Sequence, residues 1–237
     1  MRRLGRTSIP PILLLTGQLL TEDFWAPLKA ALPGRTFVHP DNGADDTIAG
    51  MARRALAATT GPFSIVAHAM GGFTAFEILR QAPERVADVA LLGTLAPNDT
   101  PVQTERRLGY ARLVEEGKFE QVVEERVPIL LAPAHRSDAA LLAQVRAMAA
   151  ATGAARFLKQ QAAIMSRADS RPHLAAINAP TLIVWGREDG IVTLAHQEEM
   201  RDGIAGARLQ IIEVCGHLGT LEQPERTIAA LKDWLTR

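Results

Sequence analysis

The stretch at residues 61–76 constrains the fold more than any other part of the chain. A short apolar run, Phe-Ser-Ile-Val-Ala-His, passes through Ala-Met-Gly-Gly into a helical pattern, which predicts a strand, a sharp turn and a helix. In a nucleophile elbow such a turn reads small-x-nucleophile-x-Gly, because the strained nucleophile leaves no room for side chains two residues to either side. Ala67 and Gly71 supply the small flanks. The nucleophile position itself is Ala69, whose methyl group cannot attack a carbonyl carbon.

Apolar runs and helical patterns alternate along much of the remaining chain. Runs without polar alternation, typical of strands buried on both faces, predict strands at residues 12–15, 36–38, 86–92, 181–185 and 209–214. Helical patterns with capping or proline signals predict helices at residues 21–32, 47–58, 70–83, 193–204 and 224–235. Because the connections are short, we predict an α/β fold with about six mainly parallel strands and helices on both faces.

The alternation stops between residues 97 and 180, where only helical spacing is found. We therefore predict a core domain of residues 1–96 and 181–237, with residues 97–180 inserted as an all-helical cap. The larger apolar side chains of the cap are candidates both for helix cores and for an apolar acyl or aryl pocket. With two loop residues, the candidate pocket side chains are Leu19, Tyr110, Phe119, Met148, Phe157, Met165 and Leu218. Nothing in the cap sequence indicates a charged group on the substrate.

Charge and cysteine content narrow the range of partners. The 26 basic and 26 acidic side chains cancel, so no overall field favours nucleic acid or an anionic membrane, and a small molecule is the expected partner. The single cysteine, Cys215, excludes an intrachain disulfide and is compatible with a reducing compartment. No apolar run approaches the ~20 residues of a membrane helix. We expect a cytoplasmic protein whose oligomeric state the sequence leaves open.

Two loops that follow predicted strands carry further candidate catalytic side chains. Asp189 follows the strand that ends near Trp185, and His217 follows the last strand. The loops at the carboxyl ends of parallel strands share one edge of the sheet, so Ala69, Asp189 and His217 are expected to converge. A histidine can take the proton of a nucleophile there, while a carboxylate holds its ring in the required tautomer.

In these segments the sequence resembles the α/β-hydrolase family, particularly its small esterase and lactonase branch, over nearly its whole length. The similarity is carried by Leu-Leu-Leu-Thr-Gly-Gln at residues 13–18, Ala-His-Ala-Met-Gly-Gly at 67–72, Val-Trp-Gly-Arg-Glu-Asp at 184–189 and Gly-His-Leu-Gly-Thr-Leu-Glu-Gln-Pro-Glu at 216–225. The resemblance implies hydrolysis of a small carboxylic ester or lactone through an acyl-enzyme. Thioester hydrolysis and carbon–carbon bond hydrolysis use the same triad and stay open.

The resemblance also implies a role for each site residue. Position 69 would hold the nucleophile, with His217 as its base and Asp189 as the acid. The oxyanion would receive backbone N–H groups from Met70 and from Gln18, where the family's His-Gly-x reads Thr-Gly-Gln.

Other residues compete for these roles. Asp99 and Glu188 are alternatives for the acid, His68 has the pattern of a structural residue, and Cys215 that of a buried apolar one. No metal and no cofactor are expected, because metal-ligand spacing is not found among His39, His135, His173 and His196.

Ala69 admits three explanations. In the explanation we favour, the chain is an engineered, inactivated variant of an enzyme that has serine at this position. The alternatives are a natural non-catalytic relative that binds a ligand, and chemistry that needs no nucleophile.

Overall fold

The computed structural model describes residues 9–236, which form one six-stranded sheet. In chain order the strands are β1 (Ile12–Leu15), β2 (Phe37–Val38), β3 (Phe63–His68), β4 (Val86–Leu92), β5 (Thr181–Gly186) and β6 (Arg208–Ile212). They lie side by side in the order β2-β1-β3-β4-β5-β6, and each pair of neighbours is parallel. The predicted α/β class, with six parallel strands and flanking helices, is confirmed.

Helices connect the strands and cover the sheet. In chain order they are α1 (Ala26–Ala31), α2 (Ile48–Ala57), α3 (Met70–Gln81), α4 (Pro101–Glu115), α5 (Phe119–Arg126), α6 (Ala139–Met165), α7 (Leu194–Gly203), α8 (Gly219–Glu222) and α9 (Pro224–Leu235). Gly153 breaks α6 into two parts, because its φ of 71° and ψ of 166° are not helical. No helix within residues 9–236 is both long and apolar enough to span a bilayer.

Successive side chains of the strands enter two separate cores, as the two-residue period of a strand requires. Leu14 and Val66 face one core, which is closed by α1 and α9 through side chains such as Trp234. Leu15 and Ile65 face the other, which is closed by α2, α3 and α7. Burial on both faces explains why the strands read as continuous apolar runs.

Two local predictions need correction, and one short helix was not predicted. The predicted helix at residues 21–32 is a 3₁₀ turn at Glu22–Trp25 followed by α1, because Pro27 has no N–H to donate and fits only the first helical turn. The last strand ends at Ile212 instead of residue 214: Val214 has a φ of 53° and turns the chain out of the sheet. The single-turn helix α8 is too short to show a periodic pattern, and the sequence did not predict it.

Residues 97–180 contain α4, α5 and α6 and no strand. This helical segment contacts the loops that follow three strands. The Leu19 N–H after β1 donates to Gln160 Oε1 at 3.2 Å, Asp41 after β2 pairs with Arg156, and the His217 N–H after β6 donates to the Leu130 carbonyl at 2.8 Å. The segment therefore lies over the carboxyl edge of the sheet.

The close approach of β1 to α3 leads to a test on Gly71. A Cβ atom there would lie 2.1 Å from the Leu15 carbonyl oxygen, whereas one at Gly109 in α4 would meet nothing nearer than 3.9 Å. We expect Gly71→Ala to lower the free energy of unfolding by about 1–3 kcal/mol, because backbone must move. The matched change Gly109→Ala should raise it by about 0.5–1 kcal/mol through helix propensity. Urea unfolding measures both, and an unchanged stability for Gly71→Ala would contradict this packing.

Candidate active site

The turn between β3 and α3 holds Ala69 in a strained conformation. Its φ of 48° and ψ of −113° lie outside the regions that non-glycine residues normally occupy, at a cost on the order of 1–3 kcal/mol. The surroundings hold it there: the Ala69 N–H donates to the Leu92 carbonyl at 2.9 Å, and Thr94 Oγ1 donates to the Ala69 carbonyl at 2.8 Å. The chain thus has the backbone geometry of a nucleophile elbow, with a methyl group at its apex.

Asp189 and His217 meet at the same edge of the sheet. His217 Nδ1 lies 2.8 Å from Asp189 Oδ2, and the Asp189 side chain is fully buried. The other carboxylate oxygen, Oδ1, accepts the N–H groups of Ile191 at 2.7 Å and Val192 at 3.1 Å. An ionised carboxylate only accepts, so Nδ1 carries the proton and Nε2 is left with a free lone pair. This is the tautomer that a general base needs.

Neither of the other two candidate acids contacts His217. Asp99 accepts from Arg107 at 2.6 Å and pairs with Arg167 at 2.8 Å. Burial opposes its ionisation, but the hydrogen bonds from both arginines outweigh burial and lower the pKa of Asp99. Glu188 is exposed. Asp189 is therefore the one of the three carboxylates that contacts His217.

Two backbone N–H groups near Ala69 are candidate donors for an oxyanion. Met70 is the first residue of α3, so its N–H has no carbonyl within the helix. In the loop after β1, the Leu19 N–H is taken by Gln160, which leaves the Gln18 N–H as that loop's candidate donor. Gln18 and Met70 both line the cleft that contains Ala69.

This cleft lies between the sheet and the helical segment, and residues from both sides line it. Its wall from the sheet side is formed by Gln18, Leu20, His68, Ala69, Met70, Phe73, Gly93, Ile191, Val192, His217 and Leu218. The helical segment contributes Arg107, Arg126, Leu130 and Ile164.

The predicted pocket residues mostly lie elsewhere. Leu218 lines the cleft, but six others do not: Leu19, Tyr110, Phe119, Met148, Phe157 and Met165. Five of these six belong to the core between the helical segment and the sheet or pack against that core: Leu19, Tyr110, Phe119, Met148 and Phe157. The centres of the Phe119 and Phe157 rings are 5.8 Å apart. These six assignments are corrected, because apolar size alone did not reveal which face each helix turns to the cleft.

The helical segment also contributes positive charge to the cleft, although nothing in its sequence indicated a charged group on the substrate. Arg107 and Arg126 line the cleft, and none of its described lining residues is acidic. Arg126 keeps some exposure because it borders the cleft, yet burial, together with the charge of Arg107, lowers its pKa to about 10. Sequence patterns could not identify these arginines, because a basic residue on a helix is usually a solvated one.

His68 and Cys215 have structural environments. His68 Nε2 lies 2.9 Å from the His217 carbonyl oxygen; since a carbonyl only accepts, Nε2 carries the proton. Its ring stacks on Phe24 at 4.5 Å between centroids. Cys215 is fully buried, and burial raises the pKa of its thiol far above neutrality, which is unsuited to a thiolate nucleophile.

Glu222, which was not among the predicted site residues, fixes the histidine loop. Its carboxylate is fully buried. Oε1 accepts the N–H groups of Gly216 and Leu218, both at 3.0 Å, on either side of His217. Oε2 accepts the Ala132 N–H at 2.7 Å and His135 Nδ1 at 3.0 Å. One carboxylate therefore ties the histidine loop to the helical segment. In the sequence, the sign of this role is a glutamate five residues after His217.

Across the part of the chain that the structure describes, no three His, Cys, Asp or Glu side chains cluster as metal ligands do.

The strained elbow and the His217–Asp189 pair define the class of α/β enzymes whose nucleophile sits on a strand-to-helix turn. A family model of the alpha/beta hydrolase fold matches residues 32–224, and the chain belongs to that family. A curated relative, the 2-hydroxy-6-oxo-6-phenylhexa-2,4-dienoate hydrolase of Comamonas testosteroni, is 28% identical over 166 residues, 68% of this chain and 58% of that protein. The chain thus spans less than two thirds of that relative's length.

Two solved structures are similar over nearly the whole chain. A thermophilic esterase from Thermogutta terrifontis, determined with malate bound, has 26% identity and a TM-score of 0.84, covering 95% of this chain and 89% of that one. The enol-lactonase of Burkholderia xenovorans LB400 has 22% identity and a TM-score of 0.86, covering 100% and 94%; at that identity it shows the fold alone. The relatives are hydrolases, which supports a hydrolase function.

Replacing Glu222 by glutamine tests its role in the histidine loop. The amide keeps one acceptor oxygen but turns N–H groups towards backbone donors, so we expect Glu222→Gln to lower the free energy of unfolding by about 2–4 kcal/mol. The exposed Glu225 is the control, and Glu225→Gln should stay within about 0.5 kcal/mol. Equal effects in urea unfolding would show that the carboxylate does not organise the loop.

Acid should destabilise the fold through His68. Burial, and to a lesser extent His217, lowers the pKa of His68 well below 6.5. The unfolded chain therefore binds the proton first, and stability falls as pH drops below about 6.5, by up to about 1.4 kcal/mol per unit. In unfolding measured between pH 7 and 5.5, His68→Gln should reduce this slope, while the exposed His173→Gln should not. An unchanged slope in His68→Gln would assign the acid sensitivity to other groups.

Proposed function

We propose that this cleft is the active site of a serine hydrolase acting on a small carboxylic ester or lactone, and that position 69 holds serine in the active form. The observation that carries the proposal is the buried Asp189–His217 pair in the same cleft as the strained Ala69. In the same proposal residues 97–180 act as a cap that covers the substrate.

In the proposed acyl-enzyme mechanism each of these residues has one role. A serine hydroxyl at position 69 would attack the substrate carbonyl while His217 Nε2 takes its proton and Asp189 holds the ring. The oxyanion would accept the N–H groups of Gln18 and Met70, each worth roughly 3–4 kcal/mol in comparable sites. His217 would then protonate the leaving alcohol, and water, activated by the same nitrogen, would release the acid.

The strain at Ala69 favours this proposal over a plain turn. An ordinary turn gains nothing from a residue at a φ of 48°, whereas a nucleophile held there is presented to the substrate. The preserved Asp189–His217 pair weighs against a protein that only binds a ligand, because binding needs no base. As written, the chain should be almost inert, since losing the nucleophile of such a triad costs on the order of 10⁶ in rate.

Carbon–carbon bond hydrolysis is the second candidate, because a relative is named a dienoate hydrolase. It requires the same residues in this cleft, so the choice of substrates decides between the two reactions.

Restoring the hydroxyl tests the proposal. We expect Ala69→Ser to raise kcat/KM for short aryl esters and lactones by several orders of magnitude, up to about 10⁶-fold. The measurement is turnover of a panel of p-nitrophenyl esters and small lactones, with a vinylogous 1,5-diketone acid for carbon–carbon cleavage. No gain on any substrate, in a variant that binds them, would favour the ligand-binding alternative.

Two controls in the Ala69→Ser background assign the other roles. His217→Ala should return turnover to the level of the parent chain, because the triad acts as a unit. Asp189→Asn should lower kcat by up to about 10⁴-fold, whereas Glu188→Gln, at the adjacent exposed carboxylate, should leave it unchanged. Survival of activity without His217 would mean that the base is another residue.

A further inference from the structure

We propose that the substrate of this cleft carries a free carboxylate, which binds Arg126 with Arg107 beside it. The inference rests on the proposed function for the identity of the reacting bond, whereas the charge of the cleft does not depend on that function. The inference narrows the substrate class to small esters or lactones that carry an additional, ionised carboxyl group.

The charge of the cleft is one-sided. Its lining includes Arg107 and Arg126, with no acidic residue among those described. Asp99 is the nearest counter-charge in the hydrogen-bond network, and it is shared between Arg107 and Arg167. One carboxylate thus serves two guanidinium groups, and Arg126 adds a further positive charge, so Asp99 does not neutralise the positive charge on the helical side of the cleft.

Arg126 is the unsatisfied member of this group. Its Nε is buried and has no hydrogen-bond partner within residues 9–236. Its guanidinium carbon lies 5.4 Å above the centre of the Tyr110 ring, a contact that supports the cation without neutralising it. The nearby charge of Arg107 and the loss of hydration both disfavour its charged form. A planar anion in the cleft would relieve both, since a carboxylate matches the fork of a guanidinium.

Arg107 is placed to assist but not to bind alone. Its Nε donates to Asp99 at 2.6 Å and its Nη1 to Gln161 Oε1 at 3.2 Å, so its orientation is fixed by protein partners. It therefore supplies a fixed positive charge next to Arg126, whereas Arg126 keeps free donors for a ligand.

Gln18 adds a neutral polar group to the same cleft. The oxygen and nitrogen of its side-chain amide are both buried, and neither has a partner in the described part of the chain. Leaving such atoms unpaired is costly, so a polar substrate atom is favoured near them. The remaining lining is largely apolar, with Leu20, Phe73, Ile164 and Leu218 among it. The ligand that fits is a short carbon chain with a carboxylate at one end.

The test compares two esters of one acid in the Ala69→Ser protein. Monoethyl glutarate retains a carboxylate and diethyl glutarate does not, so the ratio of their kcat/KM values measures recognition of the charge. We expect the ratio to favour the monoester and to fall roughly 10–100-fold in Arg126→Gln, the range of a charged hydrogen-bonded contact. Arg126→Lys, which keeps the charge but loses the fork, should retain part of the preference.

The control is Arg112→Gln, which removes an exposed positive charge from the same helix as Arg107 and should leave the ratio unchanged. Thermal unfolding of each variant establishes that it is folded. A ratio near one, or a ratio that Arg112→Gln and Arg126→Gln lower equally, would overturn the inference while leaving the hydrolase function intact.

A binding measurement separates the inference from the proposed function. Glutarate titrated calorimetrically into the chain with Ala69 should bind, and Arg126→Gln should weaken that binding roughly 10-fold or more. If it does so while Ala69→Ser hydrolyses no ester, the carboxylate site stands and the hydrolase proposal fails. If glutarate binds equally well without Arg126, the carboxylate site fails.

Discussion

The close packing of the start of α3 against β1 and against Thr94 after β4 is the constraint on which the rest of the site depends. A Cβ at Gly71 would strike the Leu15 carbonyl, and one at Gly72 would lie 2.3 Å from Thr94 Oγ1. Glycine at these two positions lets α3 start directly above β1 and β4, which forces the chain to turn within the single residue Ala69. The strain there is sustained by packing on both sides, and it persists without the oxygen atom that usually makes use of it.

Glu222 also fixes the backbone at this edge of the sheet. Its carboxylate holds the backbone on both sides of His217 and reaches Ala132 in the helical segment, while the His217 N–H bonds to Leu130. His217 and one wall of the cleft are therefore positioned by one buried charge. A displacement of the helical segment would move the histidine loop with it, so the shape of the cleft and the orientation of His217 are coupled.

How much of the structure the sequence could predict depends on whether each feature is set by local sequence or by tertiary contacts. The strands, the elbow and the convergence of Asp189 with His217 depend on local patterns and on a topological rule, and all three could be read before the structure. The cleft wall depends on which side of each helix faces the sheet. In α6, Gly153 resets that orientation between Met148 and Phe157, so a continuous helical period assigns the wrong faces. Arg126 gave no signal, because its lack of an acidic partner is a tertiary property.

Keeping Arg126 unpaired costs stability, since a partly dehydrated guanidinium without a counter-charge is unfavourable. The strained Ala69 and the unpaired amide of Gln18 add to that cost, and all three line one cleft. Unfavourable features that gather in one place are typical of a site shaped for a ligand rather than for folding. Of these three features only the strain lies at position 69. The charge and polarity of the cleft are therefore independent of the side chain there, so the proposed ligand binding and the proposed turnover can be tested separately.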